Sequence, residues 1–183
     1  TEDRNGTFLF ITDAETGDWW SATSEPKQAP GEVAESLFRD DIATFVKTVG
    51  TLRSQVECIV VSEGNGEARR LTIWNDGAAD RQVDVTSFAE IVLSPEASDA
   101  AHPAFSKMFV KTSIEDEGRM VRAFRQPRNH GEATPSLAHF VTTGPGVTRT
   151  FQAETDRRAF IGRGRSIRDA TAFDKGASLS GSQ

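Results

Sequence analysis

An all-β fold, an antiparallel β-sandwich with one or two short helices, is what this sequence predicts, and three observations predict it. Apolar and polar residues alternate with a period of two along residues 52–60 and again along 83–93, which gives a strand one buried and one wetter face, as in antiparallel sheets. Turn-forming clusters punctuate the chain at Glu15-Thr16-Gly17-Asp18, Gly64-Asn65-Gly66, Asn75-Asp76-Gly77 and Gly144-Pro145-Gly146, where Gly and Asn accept left-handed backbone and Asp bonds its own main chain. No window of about 11 residues carries an apolar stripe at helical spacing.

Taken in order, the strand candidates are residues 7–12, 33–39, 42–49, 52–60, 69–75, 83–93, 105–112, 119–125 and 137–142. The two with the clearest alternation fix their own faces. Leu52, Ser54, Val56, Cys58 and Val60 share one side, with Arg53, Gln55 and Glu57 on the other. Val83, Val85, Ser87, Ala89, Ile91 and Leu93 oppose Asp84, Thr86 and Glu90. A short helix is expected near 94–101 or 167–173. Many strands of similar spacing, without an internal repeat, indicate a sandwich. Residues 1–168 read as the sandwich domain; 169–183, small and polar, read as a linker or truncated junction.

At 183 residues the chain is long enough for one domain with a sizeable core. Hydrophobic residues make up 37% and charged residues 26%, a soluble globular composition. No apolar run reaches the roughly 18–20 residues that span a bilayer, so direct membrane insertion by this segment is not expected. Cys58 is the single cysteine; it fits a reducing compartment, and its strand face with Val56 and Val60 predicts a buried, unpaired thiol. The net charge of −6 conceals an asymmetry: residues 1–100 carry 8 Lys and Arg against 19 Asp and Glu, residues 101–183 carry 13 against 8. Either the two halves pair charges, or the basic half faces an anion or an acidic neighbouring domain. The acidic total and the lack of a recognition motif argue against nucleic acid.

Few residues suggest chemistry. Trp19-Trp20-Ser21 follows an acidic turn; its indoles suit either a sugar-stacking platform or the core, and Trp74 has the same two readings. His102, His130 and His139 lack the paired spacing of a zinc site. His102, preceding Pro103, reads as an anchor of the turn that enters the 105–112 strand. The acids lie mostly in turns, and none stands out as a general acid. Arginines recur at 119, 122, 125 and 128; period-two geometry puts Arg119 and Arg125 on one face, Arg122 on the other, and Arg128 in the loop past Pro127. Arg163-Gly164-Arg165 is the better anion candidate, because the glycine admits close backbone approach and guanidinium forks match phosphate or carboxylate. Glu154 and Asp156 nearby offer internal neutralisation instead. The candidates for a substrate or domain interface are therefore Arg163, Arg165, Arg125, Arg128 and Trp19, with no catalytic residue, metal site or cofactor assigned.

Three segments, in order, carry a resemblance to a known family: Val85-Thr86-Ser87-Phe88-Ala89-Glu90-Ile91-Val92-Leu93, Ala101-His102-Pro103-Ala104-Phe105-Ser106-Lys107-Met108-Phe109-Val110, and Glu154-Thr155-Asp156-Arg157-Arg158-Ala159-Phe160-Ile161-Gly162-Arg163-Gly164-Arg165-Ser166. Followed by Ala177-Ser178-Leu179-Ser180-Gly181, they resemble the β-sandwich that opens the glycoside hydrolase family 94 module of cyclic β-1,2-glucan synthases. Cellobiose phosphorylases carry a more distant version. The resemblance runs from Gly6 to Gly181 and implies a supersandwich of the galactose mutarotase-like kind. What it carries over is framework: Trp20, Ser87 to Glu90, His102 to Phe105, and Glu154 to Arg165. Phe88 stands where tyrosine is usual, Met108 where leucine is usual, and Trp19 adds a second indole.

The family implies a non-catalytic sandwich within a glycosyltransferase or phosphorylase that makes or trims β-1,2-glucan. Its partners would be a helical-barrel catalytic domain of the same polypeptide and, through the parent enzyme, β-glucan and inorganic phosphate. The parent would work at the cytoplasmic face, anchored in a bacterial inner membrane. The chain alone is then expected to be inactive. Two other classes compete: an autonomous carbohydrate-binding module, which affinity of the chain alone for β-1,2-glucan would favour, and a mutarotase-like epimerase, which an anomer-interconversion assay would reveal.

Overall fold

Two compact units make up the chain, Gly6–Ala89 and the part from Glu90 onward, in a computed structural model that describes residues 6–127, 129–132, 134–144, 147, 150–179 and 181.

The first unit contains β1 (Thr7–Asp13), β2 (Trp19–Ser21), β3 (Val33–Phe38), β4 (Ile42–Val49), β5 (Leu52–Val60), β6 (Glu67–Asn75) and β7 (Val83–Ala89). They form two antiparallel sheets, ordered β2-β1-β7 and β3-β4-β5-β6. Val49 faces Leu52 across the β4–β5 turn, where Gly50 adopts φ 57°, a left-handed conformation that costs glycine little. Ile11, Trp20, Ala22, Leu52 and Val56 form the buried core, with Phe45, Val49, Leu71 and Ile73 packed around it. Each large apolar side chain so buried contributes about 1.5–3 kcal/mol.

Two charged side chains buried in this unit, Lys47 and Asp13, both have partners. Lys47, 1% exposed, donates to Glu32 at 2.8 Å, and the same carboxylate accepts the Ala29 N–H at 2.7 Å. Asp13 organises the first turn: its Oδ1 accepts the Glu15 N–H, its Oδ2 pairs with Arg81, and its carbonyl accepts the Gly17 N–H. The acidic turn is therefore framework.

The predicted alternation of β5 holds through Leu52, Ser54 and Val56, which are buried, and fades at Ile59 and Val60, which are exposed. Cys58 is half-buried at the rim of the core, not fully buried as expected. Burial still pushes its thiol pKa up, Glu67 adds to the rise, and Arg69 opposes it. β7 stops at Ala89, so Ile91 and Leu93 lie beyond the strand that the alternation assigned to them.

The second unit contains α1 (Glu96–Ala101), α2 (Pro103–Lys107), β8 (Val110–Glu115), β9 (Met120–Arg125), β10 (Ser136–Phe140) and α3 (Arg157–Ile161), with 3₁₀ turns at Asp116–Gly118, Ile167–Asp169 and Thr171–Phe173. The strands make an antiparallel sheet ordered β10-β9-β8. The expected strand at 105–112 is corrected here: residues 105–107 belong to helix α2, 108–109 form a turn, and the strand starts at Val110. Pro103 occupies the first turn of that helix, where its fixed φ is favourable and its missing N–H is not needed. His102 accordingly precedes a helix and not a strand. Both sites considered for a short helix, 94–101 and 167–173, are helical. The segment after residue 168 is also packed. Ala170 and Phe173 are buried, and Phe173 meets Phe160 edge to face with centroids 5.8 Å apart. Folded structure thus runs through the first residues of what reads in sequence as a linker.

Candidate functional site

The Glu154–Ser166 motif is built around the start and end of α3. The Asp156 side chain accepts the N–H groups of Arg158 (2.7 Å) and Ala159 (3.3 Å), and Glu154 accepts the Asp156 N–H at 2.8 Å. These acids cap a helix. Different acids meet the arginines. Arg165 donates to both carboxylate oxygens of Asp174 at 2.8 Å, which raises its own pKa further. Arg157 donates to Glu90 at 2.9 Å, and Lys107 pairs with the same carboxylate. Asp169 accepts from the Ser166 N–H (2.8 Å) and hydroxyl (2.6 Å), bonds that hold its carboxyl below the usual range. Gly162, at φ 92°, leaves α3 where any Cβ would collide with Thr171 Oγ1. Arg163 is exposed and makes no ion pair with a described residue.

The other candidates go to separate places. Arg125, 6% exposed, donates to the Ser106 carbonyl at 2.9 Å and lies over the Phe109 ring, with Glu132 at 3.8 Å. It therefore ties β9 to α2. Arg119 pairs with Asp116 at the β8–β9 turn, at the opposite end of β9, so the structure does not bring Arg119 and Arg125 together. Arg122 is exposed, 3.6 Å from Glu115. Arg128 lies outside the described residues. Trp19, in the first unit, has Lys27 Nζ 3.8 Å from one ring centroid and meets Phe10 edge-on at 5.5 Å. An ammonium thus covers one of the indole faces that sugar stacking would use. Trp20 is core, and Trp74 carries Arg53 over its ring at 4.1 Å.

Sequence reasoning missed a groove of about 790 Å³ in the second unit. Arg122, Phe124, Gln126, Thr134, Ser136 and Ala138 shape it. A signal existed in the alternation of β9, which puts Arg122 and Phe124 on the face opposite Arg125, but the pairing with β10 that completes the groove is not local. It also missed Asp99, which is buried on α1 with Oδ1 making no hydrogen bond to a described residue. Among the described residues, no group of three or more His, Cys, Asp or Glu is placed to hold a metal ion, and no helix is long and apolar enough to cross a membrane.

The class these features define is a mostly antiparallel β domain with a few short helices. The whole of it, residues 1–183, matches the glycosyl hydrolase 94 supersandwich domain, and the chain belongs to that family. It is 52% identical over 180 residues to the cyclic beta-(1,2)-glucan synthase NdvB of Rhizobium meliloti (strain 1021), an alignment that covers 98% of this chain and 6% of that protein. The chain thus spans a small fraction of the relative's length.

Proposed function

We infer that this chain is the non-catalytic sandwich domain of a larger enzyme that makes or trims β-1,2-glucan. The observation that carries this reading is its 52% identity, across nearly the full chain, to a cyclic β-(1,2)-glucan synthase. In this reading the chemistry, with inorganic phosphate and a carboxylic acid as proton donor, belongs to a helical barrel of the same polypeptide, and the parent is anchored in an inner membrane with the domain on the cytoplasmic face. Purified chain incubated with β-1,2-glucan and phosphate should release no glucose 1-phosphate, whereas the parent enzyme should turn the polymer over. Release by the chain alone would refute the reading.

Arg163 and Arg165 are proposed to sit at the junction with the next domain. The support is that Arg163 is an exposed cation on a loop otherwise fixed by the Arg165–Asp174 pair. Arg163→Ala should leave the melting temperature of the chain unchanged while slowing the parent enzyme. Unfolding of the chain by this substitution, with parent turnover intact, would make the loop internal framework.

A further inference from the structure

We propose that the groove beside β9 and β10 holds a short segment of β-linked glucan. The inference rests on the glucan-handling function above and gives the sandwich domain of the larger enzyme its own contact with the polymer. Affinity of the chain alone then no longer singles out a separate binding module, and turnover by the parent enzyme decides between the two. Strand register builds the site. Phe124 stands opposite Ser136 on one side and Lys111 on the other, while Arg122 stands between Ala138 and Ser113. Side chains on one face of a sheet point together, so an aromatic ring, a guanidinium and a hydroxyl converge on the same surface.

Each feature matches a part of a pyranose. Phe124 is 40% exposed, although its neighbours in the strand, Ala123 and Arg125, are buried. An aromatic ring presented this way stacks on the apolar C–H face of a sugar. Gln126, Thr134 and Ser136 are exposed, and none of their side chains makes a hydrogen bond to a described residue. They bring donors and acceptors for ring hydroxyls. Arg122 is held only loosely by Glu115, at 3.6 Å, and its fork of five donors can address adjacent hydroxyls. Ala138 beside it leaves the middle of the groove open. The volume of about 790 Å³ lies within the roughly 300–1,000 Å³ usual for ligand sites.

Charge decides between a neutral saccharide and an anion. Arg125 directs its guanidinium to the Ser106 carbonyl and Glu132, and Arg122 has Glu115 beside it. The two arginines of the groove are therefore partly neutralised, and Lys111 is not among the lining residues, which disfavours an anionic ligand and suits a neutral polyhydroxyl chain. The Arg125 anchor also fixes the end of β9 before any ligand arrives, which lowers the ordering cost of binding.

Titration of the 183-residue chain with linear β-1,2-glucan oligosaccharides, by calorimetry and amide NMR, tests the proposal. Saturable binding is expected, with shift changes concentrated at 122–126 and 134–138. Phe124→Ala should weaken it about tenfold or more, as loss of a stacking platform does, and Arg122→Ala by a smaller factor. Both variants should keep the wild-type melting temperature, and Trp19→Ala should bind normally. Absence of saturable binding by the wild-type chain, binding undiminished in the Phe124→Ala/Arg122→Ala double variant, or shifts centred on Trp19 would each overturn the groove. Product analysis of the parent enzyme keeps the two questions apart. A parent that makes β-1,2-glucan beside a chain that does not bind it overturns the groove alone; a parent that makes none overturns the proposed function.

Discussion

In the Gly6–Ala89 unit, β3, β4, β5 and β6 pair in sequence order, β5 and β6 reach nine residues, and the face they share meets Ile11 and Trp20 in one apolar cluster. Among the described residues from Glu90 onward no strand exceeds six residues, and short helices and 3₁₀ turns carry much of the chain. There the fixed points are directed polar contacts: Arg125 on the Ser106 carbonyl, Lys107 and Arg157 on Glu90, Asp156 on the α3 N–H groups, and Ser166 with Asp169. The contrast shows two ways to hold irregular β structure. Long ladders bury apolar area and tolerate wet edges, whereas short elements need a side chain to satisfy each backbone group that no ladder reaches.

If that contrast is right, Ile11→Ala should have the largest effect, because it opens a cavity under both sheets of the first unit; a loss of about 2–5 kcal/mol is expected. Urea unfolding of the full chain would measure it, and a loss well below 1 kcal/mol would mean that the core is not the anchor described here.

Gly162→Ala comes next. It strains a left-handed position and drives a Cβ into Thr171 Oγ1, which itself donates to the Ile161 carbonyl at 3.2 Å. A loss of about 2–3 kcal/mol is expected. Hydrogen exchange should accelerate in residues 157–173 and stay unchanged in β4–β6 if the two regions are held independently.

Mild acid should have a smaller effect that reaches both units. The hydrogen bond from Arg70 holds Glu57 below the ordinary carboxylate range, and the Ser166 bonds do the same for Asp169. A carboxyl depressed in the folded state adds stability that is complete above its unfolded pKa of about 4 and drains away as pH falls through the folded value. Urea midpoints at neutral pH and at about pH 3 should therefore differ less in Ser166→Ala and in Arg70→Gln than in the wild type. An unchanged difference in both variants would remove these contacts from the account.

The smallest effect concerns Cys58. Its half-buried position and raised thiol pKa predict labelling by a thiol reagent that is slower in native buffer than in denaturant, yet not abolished. Labelling as fast as in denaturant would mean that the core-facing register of β5 is wrong.

Much of the first unit was legible in sequence. β4 was bounded correctly at both ends, and the first half of β5 was assigned with its buried face, because Leu52, Ser54 and Val56 alternate directly after the turn at Gly50. β2 was not separately legible, since three residues, Trp19–Ser21, cannot show a period. The second unit was harder. Phe105, Met108 and Phe109 looked like strand residues, but Pro103 starts a helix that takes in Phe105 and ends at Lys107, leaving Met108 and Phe109 in the turn before β8, a preference set by local backbone geometry and not by the apolar pattern. The candidate site divided in the same way. The sequence singled out the arginines and glycines of Glu154–Arg165, while which acid each arginine meets depends on Glu90 and Asp174.

The sequence by itself determined the all-β class, the core face of the first half of β5 and the turn at Asp13–Asp18, because alternation and turn chemistry act over a few neighbouring residues, and it showed the family through the ordered motifs that resemble it. Only the tertiary structure decided that Arg125 faces inward to Ser106, that Lys27 covers Trp19, and that Phe124 and Ser136 line a groove. Those outcomes depend on strand pairing and on contacts between residues distant in sequence, where burial, charge and hydrogen bonding are settled together and no local pattern records the result.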